Sequence, residues 1–252
     1  EGDSSQQNAM KQYEAYLHYY VLGLQFAGSP YAYPSIGSTF AVHLERYAAV
    51  RGFPRKLAAE DFYLLNKLIK QAPILRLTTS PIRIRGREST RVPFGTGRAV
   101  RDIQENDKPY AVYNPRVFDA VGLWQRAQCS FADNPEAFDW DRALNGAGIP
   151  HGLLHRCLTH QGALRAAEAA RHQASSTAQL FRRLFEWNDA FRTLRLVHLL
   201  RDGGLGTLPL AEAVERAPFV PTTHPCVDVD EAWRATKRAG TPNTAVALGL
   251  VD

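Results

Sequence analysis

The chain has 252 residues, a formal net charge of +5 at pH 7, 45% hydrophobic residues and 22% charged residues. This composition predicts a folded chain with one large or two modest globular domains. The three cysteines are widely spaced and include no CxxC pair, which argues against a disulfide framework and a zinc ribbon. Since the apolar stretch near the start falls short of the roughly 20 residues of a membrane span, we predict a cytoplasmic protein.

The first part of the chain predicts three helical segments. Apolar and tyrosine side chains recur every three or four positions over residues 8–27, which indicates an amphipathic helix. Residues 39–49 predict a short strand that runs into a short helix. Over residues 58–71 one apolar stripe predicts a helix, and Pro73 ends it.

Two short strands are predicted next, over residues 74–78 and 82–87. In the second, isoleucines alternate with arginines, so a strand would bury the isoleucines and align the guanidinium groups on its other face. Beyond about residue 99 the pattern becomes helical, with helices predicted over 115–129, 142–144, 152–173, 176–201 and within 208–219. The predicted fold class is α+β and mostly helical, with a mixed α/β unit over residues 1–100 and a helical region over 101–252.

Two adjacent acids, Glu60 and Asp61, stand at the start of the helix predicted over residues 58–71. Acids are common in a first helical turn because the helix dipole stabilises negative charge there. The same position suits a general base, which must be an ionised and well-positioned carboxylate. Spacing alone does not separate these two interpretations.

Residues 83–101 form a basic segment with six arginines, a single acid and no lysine. Arginine is preferred over lysine where a phosphate or carboxylate is gripped at two points. The segment therefore predicts either a solvated sheet face or an anion-binding surface. Gly95, Thr96 and Gly97 follow as a predicted loop that offers backbone N–H groups and a hydroxyl to an anion.

The sequence predicts no metal site of its own. The stretch HGLLHRCLTH lacks the glutamate of an HExxH site, and the two DxD triplets, at residues 139–141 and 228–230, lie in or beside predicted helices. No P-loop, GxGxxG or GxSxG motif is present. Phosphoryl transfer and serine hydrolysis therefore lack their usual motifs.

The stretch IGSTFAVHLERYAAVRGFPRKLAAEDFYLLNKLIK resembles the acceptor-side half of nucleotide-sugar glycosyltransferases of the GT-A type, family 2 in particular. The shared features, in order, are a small-residue GS strand, an apolar run, a GFP turn and an ED pair that opens a helix. The following RESTRVPFGTG resembles the arginine-bearing loop of these enzymes. The resemblance extends over residues 35–97, and the later WNDAFRTLRLVHLLRDGGLGTLPL resembles the helical C-terminal extension of some bacterial members.

The resemblance implies an inverting sugar transfer from a nucleotide sugar to a hydroxyl acceptor. Asp61 would be the general base, and Glu60 would orient the acceptor or the backbone. Charge on the leaving diphosphate, or on an acidic acceptor, would be balanced by Arg87 and Arg91 together with Gly95, Thr96 and Gly97. The acceptor pocket would be flanked by Gly37 and Ser38.

In that family a nucleotide-binding half, ending in the DxD motif that holds a divalent cation, precedes the acceptor half. Here a single predicted helix precedes it. The chain is then either a fragment of a longer enzyme or a divergent or degenerate relative that kept the second half. We favour the fragment, inactive alone, with the ligands of the Mg²⁺ or Mn²⁺ ion outside this chain. The implied partners are the sugar donor, the hydroxyl acceptor and a membrane surface, and no nucleic acid is expected.

Two other interpretations remain open from the residues. The basic segment could serve a non-catalytic module that binds nucleic acid or an anionic lipid surface. Alternatively, the chain could be a helical interaction scaffold in which Glu60 and Asp61 only begin a helix.

Overall fold

The structure is a computed structural model that describes residues 4–37, 39–75, 95–105, 110–222 and 228–239. Over these ranges the chain is mostly helical and contains one small antiparallel sheet of two strands. The predicted α+β, mostly helical fold class is therefore confirmed. No helix of the described ranges has both the length and the apolar character needed to cross a bilayer.

The first part of the chain contains one long helix and three shorter ones. Their bounds are α1, Ser4–Phe26; α2, Leu44–Ala49; α3, Glu60–Leu68; and α4, Thr96–Glu105. Three of them match predicted helices, but residues 39–43 form no strand. The strand predicted over 82–87 and most of the one over 74–78 lie outside the described residues.

The second part is a helical array with the small sheet inserted. In chain order it comprises β1, Ala111–Tyr113; α5, Arg116–Asp133; α6, Trp140–Ala143; α7, Leu153–His160; α8, Ala163–Gln173; α9, Thr177–Trp187; α10, Ala190–Leu200; a π-helical turn, Arg201–Leu205; β2, Thr207–Pro209; α11, Leu210–Arg216; and α12, Val229–Ala239. In the sheet, Val112 pairs with Leu208.

Two helices that the sequence predicts as continuous are each divided in two. The helix predicted over 152–173 breaks at Gly162, whose φ of 78° is left-handed and opens α8. The helix predicted over 176–201 breaks at Asp189, whose side chain accepts a hydrogen bond from the backbone N–H of Arg192 and so begins α10. Both predictions of a single helix were wrong.

The largest hydrophobic core joins α1 to helices of the later region. It contains Tyr19, Phe118 and Trp124 among its fully buried side chains. The first helix packs against α12 and against α4, and α4 itself crosses the boundary predicted near residue 100. The division into two domains at that boundary stays a prediction.

A separate, smaller core supports α3. Leu64, Leu65 and Leu68 are buried on one face of this helix, as its apolar stripe predicts. Side chains from the preceding segment pack against them, namely Tyr33, Phe40, Val42, Tyr47 and Val50, together with Ile74 from the following one. This cluster holds α2 and the segment 31–42 against the helix that carries Glu60 and Asp61.

Candidate functional site

Asp61 lies half-buried in the first turn of α3, where the helix has no side-chain cap. The preceding Ala59 adopts a left-handed conformation with φ of 58°, and its methyl group cannot accept a hydrogen bond. Instead, Oδ1 of Asp61 accepts a hydrogen bond from the backbone N–H of Phe62 at 2.7 Å. The positive end of the helix dipole also favours negative charge at this point.

The second carboxylate oxygen of Asp61 faces the backbone of Gly37. A Cβ atom at Gly37 would stand 2.7 Å from Oδ2 of Asp61 and 3.0 Å from its Cβ atom. Such separations are too short for real atoms, so the carboxylate occupies the space that the glycine leaves open. Among the described residues, no hydrogen-bond donor contacts Oδ2.

Two further side chains complete this group. The side chain of Tyr13, on α1, lies near that of Thr96 at the start of α4 and near the charge of Asp61. Burial raises the pKa of Tyr13, and the charge of Asp61 adds to that effect. We call Tyr13, Gly37, Asp61 and Thr96 the Asp61 group. It joins α1, the segment before α2, α3 and α4.

The other predicted site residues differ in their relation to this group. Glu60 is exposed in the same first turn, whereas Ser38, Arg87 and Arg91 lie outside the described residues. Gly95 has a φ of 102° and precedes α4 as a turn. The predicted loop of three residues is wrong for Thr96 and Gly97, because these residues form the first turn of α4.

Most of the basic segment also lies outside the described residues. Of its arginines, Arg98 and Arg101 are described, on α4. Arg98 forms an ion pair with Asp102 one turn later, with Nε 2.7 Å from Oδ1. That guanidinium is therefore already partnered, while the role predicted for the segment as an anion-binding surface stays a prediction.

A cavity of about 50 Å³ adjoins the Asp61 group. Its wall includes Ile36 and Phe62, the chain neighbours of Gly37 and Asp61, and tyrosines from α1 and the segment that follows it. A space of this size holds a few water molecules. The hydroxyl of Tyr33 on its wall is buried without a hydrogen-bond partner in the described structure, and burial raises the pKa of Tyr33.

The position of α3 is fixed by a polar contact with α10. The amide of Asn66, on the buried face of α3, hydrogen-bonds to Asp189 at the start of α10, and the ammonium group of Lys70 lies 3.4 Å from the same carboxylate. Asn66 is buried, so these bonds are shielded from water. Helix α3, which carries Asp61, is therefore held by the apolar contacts of its leucines and by the polar contacts of Asn66 and Lys70 with Asp189.

The Asp61 group contains one acceptor oxygen, Oδ2 of Asp61, that no donor in the described ranges contacts, next to an exposed stretch of backbone at Gly37. Such an oxygen can accept a proton from an alcohol that reaches it. A divalent cation does not fit the residues here. Glu60 points to solvent, and no group of three metal-ligating side chains occurs in the described ranges.

The sequence analysis identified three members of the Asp61 group and missed Tyr13. Tyr13 occupies a position of the apolar stripe of α1, so the sequence indicated a core residue there. Tyr33 was missed for a similar reason, since it lies in a proline-rich stretch that reads only as a helix stop. Neither residue carries a sequence signal that would have distinguished it.

No protein-family model, curated protein sequence or solved structure matches this chain. The assignment of a function therefore rests on the residues of the Asp61 group and on the motif resemblance around them.

Proposed function

We propose that this chain is the acceptor-side part of an inverting glycosyltransferase, with Asp61 as the general base. The substrate class is a nucleotide sugar as donor and an alcohol as acceptor. The nucleotide-binding half, with its divalent cation, would come from outside this chain.

The observation that supports the proposal best is the contact between Asp61 and Gly37. The two residues are far apart in the sequence, and the resemblance assigns both to the acceptor pocket. Their contact leaves Oδ2 beside an exposed glycine backbone, with no internal donor in the described ranges. A carboxylate that served only to begin the helix would need Oδ1 alone, which already accepts the N–H of Phe62.

The residues of this chain would act in a single displacement. The acceptor hydroxyl transfers its proton to Oδ2 of Asp61 while its oxygen forms a bond to the anomeric carbon of the donor. The bond between that carbon and the diphosphate oxygen breaks, and its electron pair leaves with the nucleoside diphosphate. Arg87, Arg91 and the N–H groups at the start of α4 would balance the charge of this leaving group.

The decisive experiment measures nucleoside diphosphate release from a panel of nucleotide sugars by the full-length gene product, with Mn²⁺ or Mg²⁺ present. We expect Asp61→Asn to reduce turnover by about 10²–10⁴-fold, the usual contribution of a general base. Since Asp61→Asn keeps the shape of the side chain, the donor affinity should stay within about twofold of the original.

Glu45→Gln is the matched control, because Glu45 is an exposed first-turn acid of the neighbouring helix α2. It should leave turnover unchanged. Undiminished turnover in the Asp61→Asn variant would remove the assignment of the base. Absence of sugar transfer from every donor in the panel would remove the transferase proposal itself.

A further inference from the structure

Residues 44–57 expose both apolar and basic side chains within one short segment, which we call the basic–apolar patch. Leu44 is 78% exposed, Phe53 45% and Leu57 99%. Four exposed basic side chains lie within the same fourteen-residue stretch, Arg46, Arg51, Arg55 and Lys56. This combination is unlike an ordinary surface, where large apolar side chains are scattered singly.

The backbone of this segment is held in place by the side chain of Tyr47. Tyr47 on α2 packs into the small core of α3, while its ring covers Gly52, where a Cβ atom would come within 2.7 Å of it. The hydroxyl of Tyr47 accepts a hydrogen bond from the backbone N–H of Phe53 at 3.3 Å. Arg51 and Gly52 both adopt left-handed backbone conformations, which reverse the chain there.

The three exposed apolar side chains belong to one short segment that runs from the start of α2 to just beyond the turn at Gly52. Leu44 is the first residue of α2, three positions before Tyr47, and its side chain is exposed whereas that of Tyr47 packs inward. The ring of Phe53 packs against that of Tyr47, with the centroids 5.9 Å apart. Leu57 follows four residues later, which limits its distance from Phe53 to roughly 14 Å even in a fully extended chain.

The charged side chains of the patch are mostly positive. Glu45 is the only acid in residues 44–57. Within the described ranges, none of the three arginines forms an ion pair, and the ammonium group of Lys56 lies over the ring of Tyr63, 5.2 Å from its centroid. The patch therefore attracts a negatively charged partner and offers it apolar side chains.

We propose that the basic–apolar patch binds the surface of an anionic lipid bilayer. Arginine and lysine would contact lipid phosphates, while Leu44, Phe53 and Leu57 would enter the boundary between headgroups and acyl chains. Leucine favours lipid over nucleic acid, because nucleic-acid surfaces engage stacking rings and cations and gain little from aliphatic side chains. This patch is separate from residues 83–101 and does not depend on the transferase reaction.

The test is co-sedimentation of the full chain with vesicles of phosphatidylcholine alone or with about one-third phosphatidylglycerol, at low and at physiological salt. We expect binding to the anionic vesicles only. Arg46→Gln with Arg55→Gln should weaken it about fivefold for each charge removed. Leu44→Ser with Leu57→Ser should weaken it at least tenfold and reduce the part that persists at physiological salt.

The controls change the same kinds of side chain elsewhere. Phe181→Ser removes a half-exposed aromatic group on α9, and Arg142→Gln with Arg195→Gln removes two exposed charges. These variants should bind as the original chain does. Because Leu44 and Leu57 are exposed, their replacement should not alter the thermal midpoint, which a melting curve verifies.

Several outcomes would overturn the proposal. One is equal binding to both kinds of vesicle, and another is anionic binding that ignores the Leu44 and Leu57 changes. Absence of vesicle binding overturns it as well. Binding to single-stranded DNA or to an acidic polypeptide in its place would assign the patch to that other class of partner.

Discussion

Nδ2 of Asn66 donates a hydrogen bond to Oδ2 of Asp189 at 3.1 Å, and Oδ1 of Asn66 accepts the backbone N–H of Ala190 at 3.0 Å. The two bonds make one amide side chain a bridge between α3 and the first turn of α10. Since α10 packs in the large core and α3 carries Asp61, the bridge couples the candidate site to the most buried part of the molecule.

Asn66→Ala should lower the free energy of unfolding by about 2 kcal/mol, because the buried backbone N–H of Ala190 loses its acceptor. Denaturation with urea measures the change. Asn134→Ala, at an exposed position after α5, should cost less than about 0.5 kcal/mol. A loss no larger in Asn66→Ala than in this control would show that the bridge contributes nothing.

Gly37→Ala should disable the site without unfolding the chain. The added Cβ atom would meet Oδ2 of Asp61 at 2.7 Å, so the carboxylate must move. A displacement of this size costs on the order of 100-fold in turnover, while Gly37 is exposed and its replacement should change stability by less than about 0.5 kcal/mol.

The double variant makes this prediction specific. Because both changes act on one carboxylate, Gly37→Ala should reduce turnover little further in an Asp61→Asn background. Sugar-transfer assays on the four proteins of the cycle measure the coupling. Additive losses would mean that Gly37 acts independently of Asp61.

Glu14 should contribute to stability above its unfolded pKa. His18 most strongly, then Trp233 and Lys237, lower the pKa of Glu14 from 4.5 to about 2 in the folded chain, against the effect of burial. A lowered folded pKa stabilises the native state above pH 4.5, and this contribution is lost as the pH falls from 4.5 toward 2. Since the side chain is 41% exposed, solvent screening reduces it to about 1 kcal/mol.

Glu14→Gln isolates that contribution, because glutamine keeps an oxygen that accepts the indole N–H of Trp233. Urea denaturation of both proteins from pH 6 to pH 2 gives the comparison. The difference between them should be about 1 kcal/mol at pH 6 and should vanish at the acid end. Parallel curves across the whole range would contradict the assignment.

Gly23→Ala should destabilise the chain although alanine favours helices. The substitution gains about 1 kcal/mol in helix propensity within α1. The new Cβ atom would, however, lie 2.6 Å from ring atoms of the fully buried Phe118 on α5. Overpacking of this kind costs about 1–3 kcal/mol, so we expect a net loss measurable by thermal unfolding.

Phe118→Leu tests the cause. With the ring removed there is room beside α1, so Gly23→Ala should cost less in the Phe118→Leu background than alone. An equal cost in both backgrounds would locate the effect of the alanine elsewhere.

The sequence was most informative where a helix buries one face, because the spacing of its apolar side chains then reveals the helix. The three- and four-residue spacing of apolar side chains located α1 and α3 to within a few residues. It failed at the breaks marked by Gly162 and Asp189, because an apolar stripe continues across a short interruption. There the left-handed glycine and the capping aspartate, not the stripe, decide where a helix ends.

The candidate site likewise contains residues that the sequence predicted and one that it did not. The resemblance assigned both Asp61 and Gly37 to an acceptor pocket because one ordered motif carries both of them. Tyr13 comes into the group only through the packing of α1 against α4, a contact between distant parts of the chain. No local pattern encodes such a contact, which is why a tyrosine on an apolar stripe gave no indication of its place.

The packing of α1 against α12 can form only after α12 has been synthesised. Lys11 pairs with Asp230, and Glu14 accepts a hydrogen bond from Trp233, so two helices whose paired residues are 219 positions apart in the chain pack together. Until translation reaches α12, one side of α1 stays uncovered. Contacts between residues so far apart in the sequence form slowly. A chaperone that shields the apolar face of α1 during this time should therefore assist folding.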